Sequence, residues 1–122
     1  LSVSLPDKAV PPCSADPERI SQVISILLHN AISYTPEQGR IELSLSHKKE
    51  HFYLSVRDNG IGISEEDKKK IFDRFYRVEK SRSAKGHFGL GLSIAYEIIK
   101  AHGGSIQVTD AEGGGSIFTI IL

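Results

Sequence analysis

From Asp16 to Pro36 the chain carries a run that only an amphipathic helix accommodates. Apolar side chains recur at Ile20, Val23, Ile24, Leu27, Leu28, Ala31 and Ile32. That spacing marks one helical face held over about four turns. Asp16 followed by Pro17 and Glu18 supplies the start, an N-cap carboxylate with proline at the first helical position. Thr35-Pro36 supplies the stop, because the residue before a proline avoids helical geometry. A helix with one apolar face needs a second layer to cover it.

The remaining segments provide that layer. Leu1 to Leu5 alternates apolar and polar residues and reads as a short strand, broken by Pro6, Pro11 and Pro12. Ile41, Leu43 and Leu45 give one alternating strand, and Phe52, Leu54 and Val56 give another. The polar turn Lys48-Lys49-Glu50 between them predicts a hairpin. The second strand runs into Asp58-Asn59-Gly60-Ile61-Gly62. Ser64 then caps a helix with acids in its first turn, carrying Ile71, Phe72 and Phe75. Arg77 to Phe88 is polar and without period, a loop of functional length. Gly89 to His102 reads as a helix with Leu90, Ile94, Ala95, Ile98 and Ile99 inward, stopped by Gly103-Gly104. Ile106–Val108 and Ile117–Leu122 are strands joined by a glycine-rich turn. Three helices and about five strands, with two hairpins, predict an α+β two-layer sandwich, one domain over residues 1–122.

Composition removes several function classes. Lys+Arg and Asp+Glu both number 15, so the chain is neutral, which argues against a nucleic-acid binder or direct contact with an anionic membrane. The one cysteine, Cys13, can form no internal disulfide, and no Cys/His spacing suits zinc; a reducing, cytoplasmic setting fits. No apolar run is long enough to span a bilayer, and no signal peptide opens the chain. There is no methionine, even at position 1, so the expectation is a fragment or a processed chain.

Three segments carry candidate chemistry, and each has a plainer reading. On the helical wheel Ile26, Asn30 and Ser33 form a row on the shoulder of the apolar stripe. An amide there can ligate a hard cation through its oxygen, or can simply be a boundary asparagine. Asn59-Gly60 is a strong hairpin signal, yet a capped helix follows it rather than a strand. Gly60 and Gly62 let the main chain approach a flat or charged ligand, and Asp58 at the strand end can accept from an amino group. Gly86-His87-Phe88-Gly89-Leu90-Gly91-Leu92 opens a helix, where free N–H groups suit phosphate. It follows a loop carrying Arg77, Lys80, Arg82 and Lys85, which also reads as a solvated basic stretch.

Together these segments resemble the ATP-binding domain of sensor histidine kinases, in the superfamily (GHKL) that includes DNA gyrase, Hsp90 and MutL. The resemblance covers nearly the whole chain, in order. "DPERISQVISILLHNAISYTP", from Asp16 to Pro36, resembles the asparagine box, and "DNGIG", from Asp58 to Gly62, the first glycine box. "FDRFYR", from Phe72 to Arg77, resembles the phenylalanine box, "GLGL", from Gly89 to Leu92, the second glycine box, and "GGGSIFTIIL" the C-terminal end. The resemblance implies a Bergerat-type fold, ATP and Mg²⁺ as cofactors, and protein-histidine kinase activity. Asn30 would hold Mg²⁺ against the phosphates. Asp58 would bond the adenine amino group, with Tyr34, Gly60, Gly62 and Ile63 shaping that pocket. Arg77 would reach the terminal phosphate, and Gly89, Leu90, Gly91 and Leu92 would lie against the phosphates. The catalytic pair would be Asn30 and Arg77. The implied partners are a helical dimerisation domain bearing the phosphoacceptor histidine and, through the parent protein, a response regulator. The parent would be a membrane-anchored bacterial receptor with this part in the cytoplasm, and the isolated fragment a monomer.

The chain departs from the family at the phosphate end. Ile26 stands where many members carry a second asparagine, Ser33 where many carry lysine, and His87 and Phe88 replace a glycine and a threonine. A charged hydrogen bond contributes roughly 1.5–3 kcal/mol, so these losses predict weaker Mg-ATP binding. Two other readings therefore stand beside the kinase: a degenerate docking or regulatory module, and another ATPase of the superfamily or a serine-directed anti-sigma kinase. None of the five histidines sits in an acidic "HE" helical setting. His29 is expected to face solvent, His102 to sit at a helix C-terminus, favourable there if charged, and His47 and His51 to flank the hairpin. Lys68-Lys69-Lys70 reads as a solvated helix face. The resemblance implies that residues about 77 to 88 form a mobile ATP lid, and Phe72, Phe75 and Tyr76 read as core packing, anchors of that lid or contacts with the helical domain.

Overall fold

The computed structural model describes residues 2–5, 14–74, 76 and 91–122. Helix α1 spans Pro17–Tyr34. The Asp16 carboxylate accepts from the N–H groups of Glu18, at 3.0 Å, and Arg19, at 3.3 Å. Thr35 leaves the helix in an extended conformation, as the following proline requires. The strands are β1 (Ser2–Ser4), β2 (Ile41–Lys48), β3 (His51–Asp58), β4 (Ser105–Asp110) and β5 (Ser116–Ile121). They form one sheet in the order β1-β2-β3-β5-β4. β1 runs parallel to β2, with α1 as the crossover between them, and every other pairing is antiparallel. Helices α2 (Glu65–Lys70) and α3 (Gly91–Ala101) complete the described elements. The α+β two-layer sandwich with a mixed, mostly antiparallel sheet is thus the observed architecture.

The core lies between one sheet face and the helices. Val23, Leu27 and Ala31 of α1 and Ala95 and Ile99 of α3 meet Val56 of β3 and Phe118 and Ile120 of β5, all buried. The Phe72 ring packs edge-on against Phe118 at 6.1 Å and beside Tyr96 at 5.7 Å, so this part of the phenylalanine box is core. Phe75 lies outside the described residues.

Several side chains sit differently from the sequence expectation. Ile32 is 62% exposed and Ile94 is 40% exposed, although both were expected inward. Each stands about 100° around its helix from a buried alanine, Ala31 or Ala95, and so falls off the stripe. The second helix ends at Lys70 and does not carry Ile71 or Phe72. Its six residues are all charged, leaving no apolar face. Ile71 and Phe72 reach the core from the turn that follows, closed by the Asp73 N–H on the Lys70 carbonyl at 2.9 Å. Lys68 is not a solvated lysine. Its ammonium lies 2.6 Å from both Glu65 and Asp110, tying α2 to the end of β4. Those two carboxylates also hold its pKa above 10.5. Among the described residues no helix is long and apolar enough to cross a membrane.

Two outcomes follow. The β2–β3 hairpin turns on Lys49 and Glu50, with φ of 49° and 66°. This left-handed region is costly for side chains with a Cβ. Replacing the pair by Asn-Gly is expected to raise stability by about 1 kcal/mol, read as a higher urea midpoint with unchanged slope. The Tyr76 hydroxyl donates to Asp67, and that bond raises the phenol pKa from 10.0 to about 12. A raised folded-state pKa stabilises the fold fully below the unfolded value and loses that effect as pH climbs through the folded one. The stability gap between wild type and Tyr76→Phe should therefore hold constant up to about pH 10 and close toward about pH 12 in denaturant titrations.

Candidate functional site

The end of β3 carries a carboxyl group that ordinary packing does not explain. Asp58 is 1% exposed, on the core face of the sheet. A buried carboxylate must be satisfied by donors. Its Oδ1 accepts from the Gly60 N–H at 2.9 Å, and its Oδ2 accepts from the Ser116 hydroxyl at 3.0 Å. Each carboxylate oxygen can accept about two hydrogen bonds, so each keeps capacity for a further donor. Ser116, at the start of β5 and fully buried, was absent from the sequence-derived site. The signal was faint, a serine after three glycines at the head of an alternating strand.

The chain around Asp58 is packed too tightly for side chains at two points. A Cβ at Gly60 would collide with the Tyr34 carbonyl oxygen and lie 2.7 Å from its carbon. A Cβ at Gly115 would strike the Asp58 carbonyl and lie 2.8 Å from the Asn59 Cα, and Gly115 also has φ of 92°. Glycine is required at both positions. Gly62 adopts φ of 77° and faces Gly115 across the loop. The Ile61 N–H donates to the Tyr34 carbonyl at 3.2 Å, so the last residue of α1 is stapled to the loop after β3. Tyr34 and Ile63 are both buried in the cluster beside it. Arg57 donates to the Glu112 carbonyl at 2.7 Å and ties the β4–β5 turn to the end of β3. Tyr34, Asp58, Gly60, Gly62 and Ile63 therefore form one cluster.

Asn30 lies one helical turn before Tyr34 on α1, half-buried on the shoulder of the stripe. Its amide nitrogen is buried and has no hydrogen-bond partner among the described residues. Such an orphan donor marks a place where an acceptor on a ligand completes the set. One turn earlier on the same shoulder, Ile26 meets the N-terminus of α3. A Cβ at Gly91 would lie 3.4 Å from the Ile26 methyl group. Leu92 packs onto the core. Arg77, Gly89 and Leu90 lie outside the described residues, as do Cys13, His87 and Phe88.

The other four histidines, all among the described residues, stand apart from this cluster. His29 is exposed. His47 stacks on Phe52 with centroids 4.7 Å apart, and His51 Nδ1 lies 3.3 Å from the Leu122 carbonyl oxygen. His102 donates from Nδ1 to the Ile98 carbonyl at 2.8 Å and accepts at Nε2 from the Asp16 N–H at 3.1 Å. It is at the helix end as expected, with both ring nitrogens engaged by main-chain groups. Among the described residues no group of three or more His, Cys, Asp or Glu side chains could hold a metal ion.

Comparison with known proteins shows the family. The family model of histidine kinase-, DNA gyrase B- and HSP90-like ATPases matches residues 15–122. Sensor protein CiaH of Streptococcus pneumoniae is 52% identical over 102 residues, which are 83% of this chain and 23% of CiaH. Sensor histidine kinase WalK of Bacillus subtilis is 46% identical over 110 residues, 88% of this chain and 18% of WalK. The chain thus spans less than a quarter of the length of these relatives. The solved catalytic domain of histidine kinase ThkA superposes with a TM-score of 0.85 at 33% identity, over 99% of this chain and 76% of that one. ThkA has also been solved in complex with the response regulator protein TrrA. The chain belongs to the histidine kinase-, DNA gyrase B- and HSP90-like ATPase family, on its sensor histidine kinase branch.

Proposed function

We propose that this chain is the ATP-binding catalytic domain of a two-component sensor histidine kinase. It binds Mg-ATP and presents the γ-phosphate to a histidine on a separate helical dimerisation domain. The observation that carries the reading is Asp58, a buried carboxylate with one donor on each oxygen and capacity left on both. The exocyclic amino group of adenine is a donor that such a carboxylate accepts. Guanine offers a carbonyl oxygen at the same ring position, which a carboxylate repels.

The residues of this chain divide the work between the two ends of the nucleotide. Asp58, Tyr34, Gly60, Gly62 and Ile63 hold the base. The unpaired Asn30 amide nitrogen is a donor for a phosphate oxygen, and the Asn30 amide oxygen would hold Mg²⁺; the ion would supply charge neutralisation for phosphoryl transfer. Arg77, Gly89, Leu90, Gly91 and Leu92 serve the phosphates by family resemblance. What the chain contributes to the reaction is positioning and electrostatics. The acceptor histidine and the response regulator lie with the parent protein, and the setting is the cytoplasmic side of a membrane-anchored receptor.

Calorimetric titration with ATP tests this reading. Binding should strengthen when Mg²⁺ is added, and Asn30→Ala should abolish that Mg²⁺ effect. Asp58→Ala should weaken ATP by at least about 100-fold, since it removes a charge-assisted bond and leaves the Ser116 hydroxyl unpaired. Ser116→Ala should weaken it several-fold while the chain stays folded. A folded chain that binds no ATP at millimolar concentration would instead be the docking or regulatory module. The apolar contact of Ile26 with the start of α3 is the feature that favours that second reading.

A further inference from the structure

The last rung of the β2–β3 ladder is made by a side chain. The paired strands end at Ile41 opposite Asp58, so Arg40 and Asn59 would form the next pair. The Asn59 N–H donates to the Arg40 carbonyl at 3.2 Å, as a strand residue does. The return bond is different. The Arg40 N–H donates at 2.7 Å to the Asn59 side-chain Oδ1. The amide oxygen has taken the place of the main-chain carbonyl. Asparagine side chains offer this alternative to ladder bonding routinely at turns.

This substitution has a consequence for the next two residues. With its main-chain carbonyl released from the ladder, the chain leaves the strand direction at once. Gly60 passes under the Tyr34 carbonyl, and the Ile61 N–H bonds to that same carbonyl at 3.2 Å. The same turn brings the Gly60 N–H to 2.9 Å from Asp58 Oδ1. The aim of the Asp58 carboxylate thus depends on where the chain turns, and the Asn59–Arg40 rung sets that place.

We infer that Asn59 is a positioning residue for base recognition: its side-chain amide oxygen closes the β2–β3 ladder in place of its main-chain carbonyl, and so fixes the Gly60 N–H that orients Asp58. The inference rests on the nucleotide reading above. Asn59 itself touches no base in this account. It acts through Asp58. An aspartate at 59 preserves the acceptor for the Arg40 N–H, whereas an alanine removes it and lets the main-chain carbonyl return to the ladder.

The test compares wild type, Asn59→Ala and Asn59→Asp by calorimetry with ATP and with GTP, alongside thermal melting. Asn59→Ala should weaken ATP about tenfold, leave GTP nearly unchanged and so shrink the ATP-over-GTP preference by about the same factor. Asn59→Asp should keep the wild-type preference. A purely structural asparagine would lower the melting temperature without moving the ATP:GTP ratio, and that result overturns the inference. So does an Asn59→Asp variant as unselective as Asn59→Ala. If wild type binds ATP and Asn59→Ala binds it with undiminished preference, the inference fails while the nucleotide reading stands. If folded wild type binds neither nucleotide, the nucleotide reading itself fails.

Discussion

The arrangement depends on one buried carboxyl group. Taking Asp58 out of water is unfavourable unless donors meet it, and the fold supplies them from two directions. Gly60 comes from the loop after β3, and Ser116 comes from the head of β5. Glycine stands at 60 because a Cβ there would strike the Tyr34 carbonyl, and at 115 because one would strike the Asp58 carbonyl. The central pairing of β3 with β5 is what makes the second donor available, because residues 58 apart in sequence become neighbours only there. A sheet that lacked this pairing would leave Asp58 Oδ2 without its Ser116 donor.

The two ends of the site differ in how they are built. The base end is closed by short-range turns and close main-chain contacts, with Tyr34, Gly60 and Ile61 locked to one another. The end proposed for the phosphates is built differently. Asn30 offers a buried amide nitrogen without a partner among the described residues, and Ile26 brings a methyl group to the start of α3.

Much of the fold was legible because local signals agreed with each other. The Asp16-Pro17 start, the Thr35-Pro36 stop and the alternation in β2 and β3 each have a short-range physical cause, and each element formed where they put it. The candidate site was legible through Asn30, Asp58 and the glycines, which look out of place in their segments. What could not be read were pairings set by tertiary structure. Nothing in residues 105–122 announces that β5 rather than β4 lies beside β3, and so nothing announced Ser116. Lys68 read as solvated because its partner Asp110 is 42 residues away. Ile32 and Ile94 were placed inward because hydrophobicity was taken for position, whereas the stripe is too narrow to include them. Asn59 was passed over as a turn residue, since its replacement of a main-chain carbonyl exists only in three dimensions.

The central claim is that a nucleotide base meets Asp58 while its phosphates reach Asn30. The most direct measurement is a ¹H–¹⁵N NMR titration of the chain with ATP and Mg²⁺. The account predicts large shifts in the Gly60 main-chain amide and the Asn30 side-chain amide, with little change at the Lys49–Glu50 hairpin tip or at Ser44 and Ser55 on the opposite sheet face. Shifts confined to that opposite face, with Gly60 and Asn30 unmoved, would contradict it.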